Sequence, residues 1–358
     1  MPPGSRSDLI PTKKSSLGWR RPIVPIGRRE ISIRNIQATQ RAVRKELSSK
    51  KSEIALRLIT CNEELQRTYG RIRASIPKPT ATQAEFMNDW RRLTNKYDQA
   101  VSQTRLFAVD GASTIADFLT SVLPYLLDPE NSVEDRSAQV EAYLRLLLSA
   151  GAREDVLKPK LSEVIDEMDR FQERWSTNTD FSALLEPSNI ARGNVRSLLA
   201  TTQPDGRMNT FFDNSTLPGF MTAMSGLLSK DLVGRMSGLL DGENRSRIED
   251  LEHLSIDPNA QRPSNTFDCF MDVRNILRMD LEASAKRIQE GRMDASSVNL
   301  EGRDKIVMVF YKDMETALKD FASLLSNGAQ GDIPQLNVPD GANRSKIAQF
   351  FRRFWSKK

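Results

Sequence analysis

Apolar residues recur at steps of three and four along two long stretches of the chain. In the first they fall at Val43, Leu47, Ile54, Leu58, Cys61, Leu65, Ile72 and Ile76. In the second they fall at Phe86, Trp90, Leu93, Tyr97, Ala100, Phe107, Phe118 and Val122. Steps that sum to sevens mark a helix seam of the coiled-coil kind. Pro77-Lys78-Pro79 separates the stretches and stops a helix there. The pattern predicts a long antiparallel helical hairpin, residues 31–76 and 81–127. Thr80 or Thr82 would cap the second helix, with Glu85 three residues after Thr82 in capping-box spacing. Gly111 marks a close approach or a bend, and Pro124 a kink. Lys50 and Lys51 interrupt the first seam, so its N-terminal part is expected to splay.

Beyond Gly111 the seam widens to Ile115, Phe118, Leu119, Val122, Leu123, Leu126 and Leu127, too broad for a two-helix coil. A third helix at 133–150 is expected to cover it. A fourth, 153–175, carries the stripe Leu157, Leu161, Val164, Ile165, Met168, Phe171 and Trp175. Residues 176–265 are rich in Gly, Ser and Asn, which predicts shorter helices. Within them Met-Ser-Gly-Leu-Leu at 224–228 recurs at 236–240, read as a short helical hairpin whose small residues admit a close backbone. Residues 266–327 read as a further helical pair, 328–344 as a Gly/Pro-containing linker, and 345–358 as a separate terminal helix.

The expected fold is therefore all-α: an elongated helical bundle built on a long, coiled-coil-like antiparallel hairpin. Residues 1–30 read as a disordered basic arm, because Pro2, Pro3, Pro11, Pro22 and Pro25 block a helix. No apolar leader precedes the arm and no uncharged span of membrane length follows, so an intracellular, at most membrane-peripheral protein is expected.

Charge sharpens this picture. Residues 1–80 carry +12 and residues 341–358 carry +6, which leaves −13 in the middle of a chain of net charge +5. Basic ends around an acidic body point to an anionic partner, membrane surface or nucleic acid, or to ends that fold back on the body. The terminal helix is the sharpest local signal. Ile347, Phe350, Phe351, Phe354 and Trp355 share one face, and Arg352, Arg353, Lys357 and Lys358 fill the other. That pattern suits an interfacial membrane helix or one docked on protein. For nucleic acid the candidates are Lys13, Lys14, Arg20, Arg21, Arg28 and Arg29 in the arm, with Arg41, Arg44 and Lys45 on the first helix. A solvated helix face is the plainer account of the last three.

Catalytic grammar is sparse. His253 is the single histidine, which removes His-rich metal sites. No Gly-x-Ser-x-Gly elbow, phosphate-binding loop or dinucleotide fingerprint occurs. Cys61 and Cys269 read as buried thiols. No enzyme activity, cofactor or metal is expected. The leading expectation is a self-associating helical scaffold, a homo-oligomer, attached to anionic membrane through 345–358. The alternative is a nucleic-acid coat protein. The third is a pore-forming or membrane-remodelling protein that uses 218–240.

Overall fold

A computed structural model describes residues 26–128, 130–151, 159–175, 179–200, 217–241, 266–289 and 300–328. The protein is all-α, with no strand among these residues. Helix α1 spans Ile26–Ser75 and α2 spans Ala81–Asp117. A π-helical turn, Phe118–Val122, and the short α3, Leu123–Leu127, extend α2. Then come α4 (Val133–Gly151), α5 (Pro159–Trp175) and α6 (Thr179–Leu199). The remaining helices are α7 (Pro218–Leu227), α8 (Lys230–Asp241), α9 (Thr266–Met271), α10 (Val273–Gln289) and α11 (Leu300–Gly328).

The seam of α1 is buried at Val43, Leu47, Ile54, Leu58, Cys61, Leu65 and Ile72. Two buried side-chain bonds fix its register with α2. Trp90 Nε1 donates to the Leu65 carbonyl at 3.3 Å, and the Tyr97 hydroxyl to the Leu58 carbonyl at 3.2 Å. As numbers rise in α2 they fall in α1, so the two chain directions oppose. The α2 seam passes through Thr104 and Ala108, not Phe107, which is only half buried.

Different helices complete the two halves of this pair. Near the 76–81 connection, α5 and α6 do so. Phe86 packs on Phe171 and Trp175 at centroid distances of 5.2 and 5.1 Å, and Lys96 pairs with Glu167 at 2.7 Å. Arg57 of α1 reaches Ser197 of α6 at 2.7 Å. At the other end α11 is the most extensive neighbour of α2. Phe118 meets Tyr311 at 5.3 Å, and Arg105 donates to Ser326 at 3.2 Å. On α1, Arg44 pairs with Asp313 and Lys51 with Asp320, so α1 and α11 run in the same direction.

Several expectations are corrected here. The capping box is Thr80 with Gln83, Gln83 N donating to Thr80 Oγ1 at 3.3 Å and Thr80 N to Gln83 Oε1 at 3.0 Å. Glu85 instead pairs with Arg174 of α5 at 2.6 Å. Helix α1 starts at Ile26, taking Arg28 and Arg29 into the helix, because no proline follows Pro25 until Pro77. Lys50 and Lys51 do not splay the seam: they flank it, and Glu53 and Asp320 neutralise them. The wide face beyond Gly111 is shared. Tyr143 of α4 donates to the Thr114 carbonyl at 3.2 Å, while α10 and α11 close on Gly111 itself. A Cβ at Gly111 would lie 3.0 Å from Val273 Cγ2 and 3.7 Å from Leu318 Cδ1, so the glycine marks a close approach.

Helix α6, 21 residues long, stands where only shorter helices are expected. Pro187 lies inside it, yet Leu185, Ser188, Ala191, Arg192, Val195 and Leu198 keep a buried stripe at helical spacing. The repeat at 224–240 forms α7 and α8, joined by Leu228 and Ser229. Ala81–Leu127 contains an 18-residue window apolar enough to cross a membrane by length and composition, 44% of it buried inside the protein.

Candidate anion-binding surface

The seam of α1 leaves the opposite stripe to solvent. At steps of four, three and four, Arg41, Lys45, Ser48 and Ser52 share it, with Ser49 beside them and Arg34 two turns before. All six are exposed. Arg41, Arg44, Lys45 and the three serines line one shallow basin. The Ser52 hydroxyl is turned inward, donating to the Ser48 carbonyl at 2.9 Å.

The charges along α1 are not equivalent. From Lys50 to Arg71 every cation has an acidic partner. Lys50 meets Glu53 at 3.0 Å, Arg57 meets Glu53 at 2.6 Å, Arg67 meets Glu63 and Glu64 at 2.7 Å, and Arg71 also meets Glu64. Lys51 reaches across to Asp320. Among the described side chains of α1, only Arg34, Arg41, Lys45 and Arg73 have no ion pair. Three of these four, Arg34, Arg41 and Lys45, lie toward the end where α1 begins, and Arg73 lies in its last turn.

Arg44 stands apart. Its Nη2 and Nε donate to Asp313 Oδ1 at 2.6 and 3.0 Å. The Asp313 side chain is 3% exposed and that of Arg44 65%. Asp313 Oδ2 is buried without a hydrogen-bond partner. Arg44 thus compensates a buried carboxylate from α11 and is held in place by it. Of the three cations expected on this helix, Arg41 and Lys45 are free for a ligand and Arg44 is committed. Asp313 and the serines did not enter the sequence-based set. An acid among the apolar positions Phe310, Met314 and Ala317 was the signal for Asp313.

Lys13, Lys14, Arg20 and Arg21 lie outside the described residues. So do Ile347, Phe350, Phe351, Arg352, Arg353, Phe354, Trp355, Lys357 and Lys358, and His253. Arg28 and Arg29 lie in the first turn of α1, six and five residues before Arg34.

A second polar cluster is paired within itself. Between α5 and α6, Arg192 Nε pairs with Asp169 at 2.9 Å and Arg196 with Asp166 at 3.1 Å, beside Arg170, Gln172 and Glu173. Burial lowers the Arg192 guanidinium from its ordinary value. Burial pushes the Cys61 thiol up to about 11, partly offset by Tyr97, and the Cys269 thiol up to about 12. Both are poor nucleophiles there. Among the described residues no three His, Cys, Asp or Glu side chains gather as a metal site. No family model matches this chain, and no curated protein or solved structure shows significant similarity to it.

Proposed function

We propose that the chain is a non-enzymatic helical scaffold that self-associates and attaches to an anionic membrane surface. Its body is an elongated bundle on the antiparallel α1/α2 hairpin. The observation that carries the reading is the strip of unneutralised cations at Arg34, Arg41 and Lys45, on a helix whose cations from Lys50 to Arg71 are all paired. Each such cation near an anionic surface contributes on the order of 1 kcal/mol, and the attraction fades within about one Debye length. The apolar part of the attachment is assigned to 345–358, where Phe350, Phe351, Phe354 and Trp355 recur in the sequence at helical spacing, interleaved with Arg352, Arg353, Lys357 and Lys358.

The same strip supports a second reading, a nucleic-acid coat protein, since phosphate tracking needs only aligned cations. Sedimentation of the full chain with neutral vesicles, anionic vesicles and single-stranded RNA separates the two. Membrane attachment requires pelleting with anionic vesicles, lost on Phe351→Ala/Trp355→Ala and weakened by Arg41→Ala/Lys45→Ala. RNA binding with a steep salt dependence, indifferent to the aromatic pair, would replace the membrane reading with the coat reading. No binding to either overturns both.

A further inference from the structure

Helix α7 is buried over most of its length, and its two hydroxyls, Thr222 and Ser225, donate to its own backbone carbonyls. Phe220, Met221, Met224 and Leu227 are buried, and the helix carries no charged residue. Leu217 at its N-cap offers no side-chain acceptor. The acceptor comes from another helix. Asp280 of α10, 1% exposed, takes the Gly219 amide at 2.7 Å on Oδ1 and the Phe220 amide at 3.3 and 3.2 Å on its two oxygens. The Tyr311 hydroxyl of α11 donates to the same carboxylate. Gly219 makes this approach possible, since a Cβ there would overlap the Ile276 carbonyl. One carboxyl group thus joins α7, α10 and α11 where no water reaches it.

We propose that Asp280 is a proton-operated latch on α7: the uncharged carboxyl holds the α7–α8 segment in the bundle, and ionisation loosens it. The protonated group still bridges the three helices. Its carbonyl oxygen accepts the two amides, and its hydroxyl donates to the Tyr311 oxygen while the Tyr311 proton turns away. The ionised group keeps its hydrogen bonds but carries a charge into a site that has lost its water. The groups facing it are few. Helix α7 brings none that titrates. Helix α11 brings Tyr311, which is itself influenced by Tyr143 of α4. On its own helix Arg287 acts on it through charge alone.

The direction follows from linkage. Burial raises the Asp280 carboxyl to about 7, against the partial pull of Tyr311, Phe220, Gly219 and Arg287. With α7 released, the group meets water and ionises near the ordinary value of about 4. The docked form therefore binds the proton more tightly. Docking is strongest below about pH 4, weakens as pH rises toward about 7, and changes little above it. The opening equilibrium is expected to rise roughly tenfold from pH 6 to pH 8, and roughly a hundredfold from pH 5 to pH 8.5.

Native-state hydrogen exchange of the full chain, corrected for the intrinsic pH dependence of exchange, tests this. Amides of 220–227 should lose protection by those factors while amides of α5 around Val164 stay level. Asp280→Asn should flatten the response. Tyr311→Phe, which removes a donor to the charged form, should move the midpoint upward. Corrected protection that does not change with pH, or a response that survives Asp280→Asn, overturns the latch. If Asp280→Asn does not fold, carboxyl 13C titration of the wild-type chain decides: a midpoint near 7 supports the latch, and one near 4 overturns it.

Discussion

The same substitution, glycine to alanine, should have opposite effects at two places in this protein. Gly219 lies at the start of α7, where a Cβ would overlap the Ile276 carbonyl and press on Met279 Cβ. The obstacle is backbone, which has no rotamer to change, so α7 would have to back away from α10. Overpacking of this kind costs roughly 1–3 kcal/mol. The retreat also stretches the Gly219 amide bond to Asp280, now 2.7 Å, worth roughly 1–3 kcal/mol as a buried interaction. Alanine returns up to about 1 kcal/mol of helix propensity. Gly219→Ala should therefore destabilise by about 2–4 kcal/mol. Gly70 lies exposed in α1 with open space where a Cβ would go. Only the propensity gain remains, and Gly70→Ala should stabilise by about 0.5–1 kcal/mol. Urea denaturation followed by far-ultraviolet circular dichroism, with the slope checked for constancy, reads both values. Gly219→Ala as stable as the wild type would refute the close packing of α7 on α10. Destabilisation by Gly70→Ala would refute the exposed placement of that turn.

Trp90→Ala should cost about 3–5 kcal/mol in the same assay, since it empties the cluster with Phe171 and removes the indole bond to the Leu65 carbonyl; a loss below 1 kcal/mol would argue against the α1/α2 register. Arg44→Ala should cost about 1–3 kcal/mol by leaving Asp313 buried and uncompensated, whereas Arg41→Ala should stay within about 0.5 kcal/mol. Adding Asp313→Asn to Arg44→Ala should recover part of that loss, and additivity of the two changes would count against the pairing. With Cys61 and Cys269 buried and their thiols held at about 11 and about 12, an aromatic disulfide reagent at pH 8 should label the chain only after denaturation. Rapid labelling of the native chain would show that one of them is accessible.

What a single sequence exposes is which face of a helix is buried, and not what buries it. The seams of α1, α2 and α5 were legible because three-four spacing persists over many turns, and Cys61 falls inside one of them. The partner of the upper half of α2 was not. Helix α11 begins 183 residues after α2 ends, and nothing local to Ile115 or Phe118 points to Phe310 or Tyr311. Helix α6 was obscured by Pro187 and by the polar Ser and Asn residues around it, although its buried stripe was intact. The candidate surface was half legible. Arg41 and Lys45 follow from helical spacing alone, while the commitment of Arg44 depends on a carboxylate 269 positions away.

The division of α1 and α2 between two sets of neighbours also orders events during synthesis. Helices α5 and α6 follow α2 closely, so the half of the pair around Leu65 and Trp90 gains its cover once residue 199 has emerged. The other half, with Val43, Leu47, Ala108 and Ile115, waits for α11 at the far end of the chain. During that interval a nascent chain presents one finished end and one apolar, basic-flanked end with no partner. Collapse onto other chains competes with completion of the fold over that window. Shortening the interval, by circular permutation that brings 300–328 ahead of 26–75, should raise the yield of folded protein without changing a single contact.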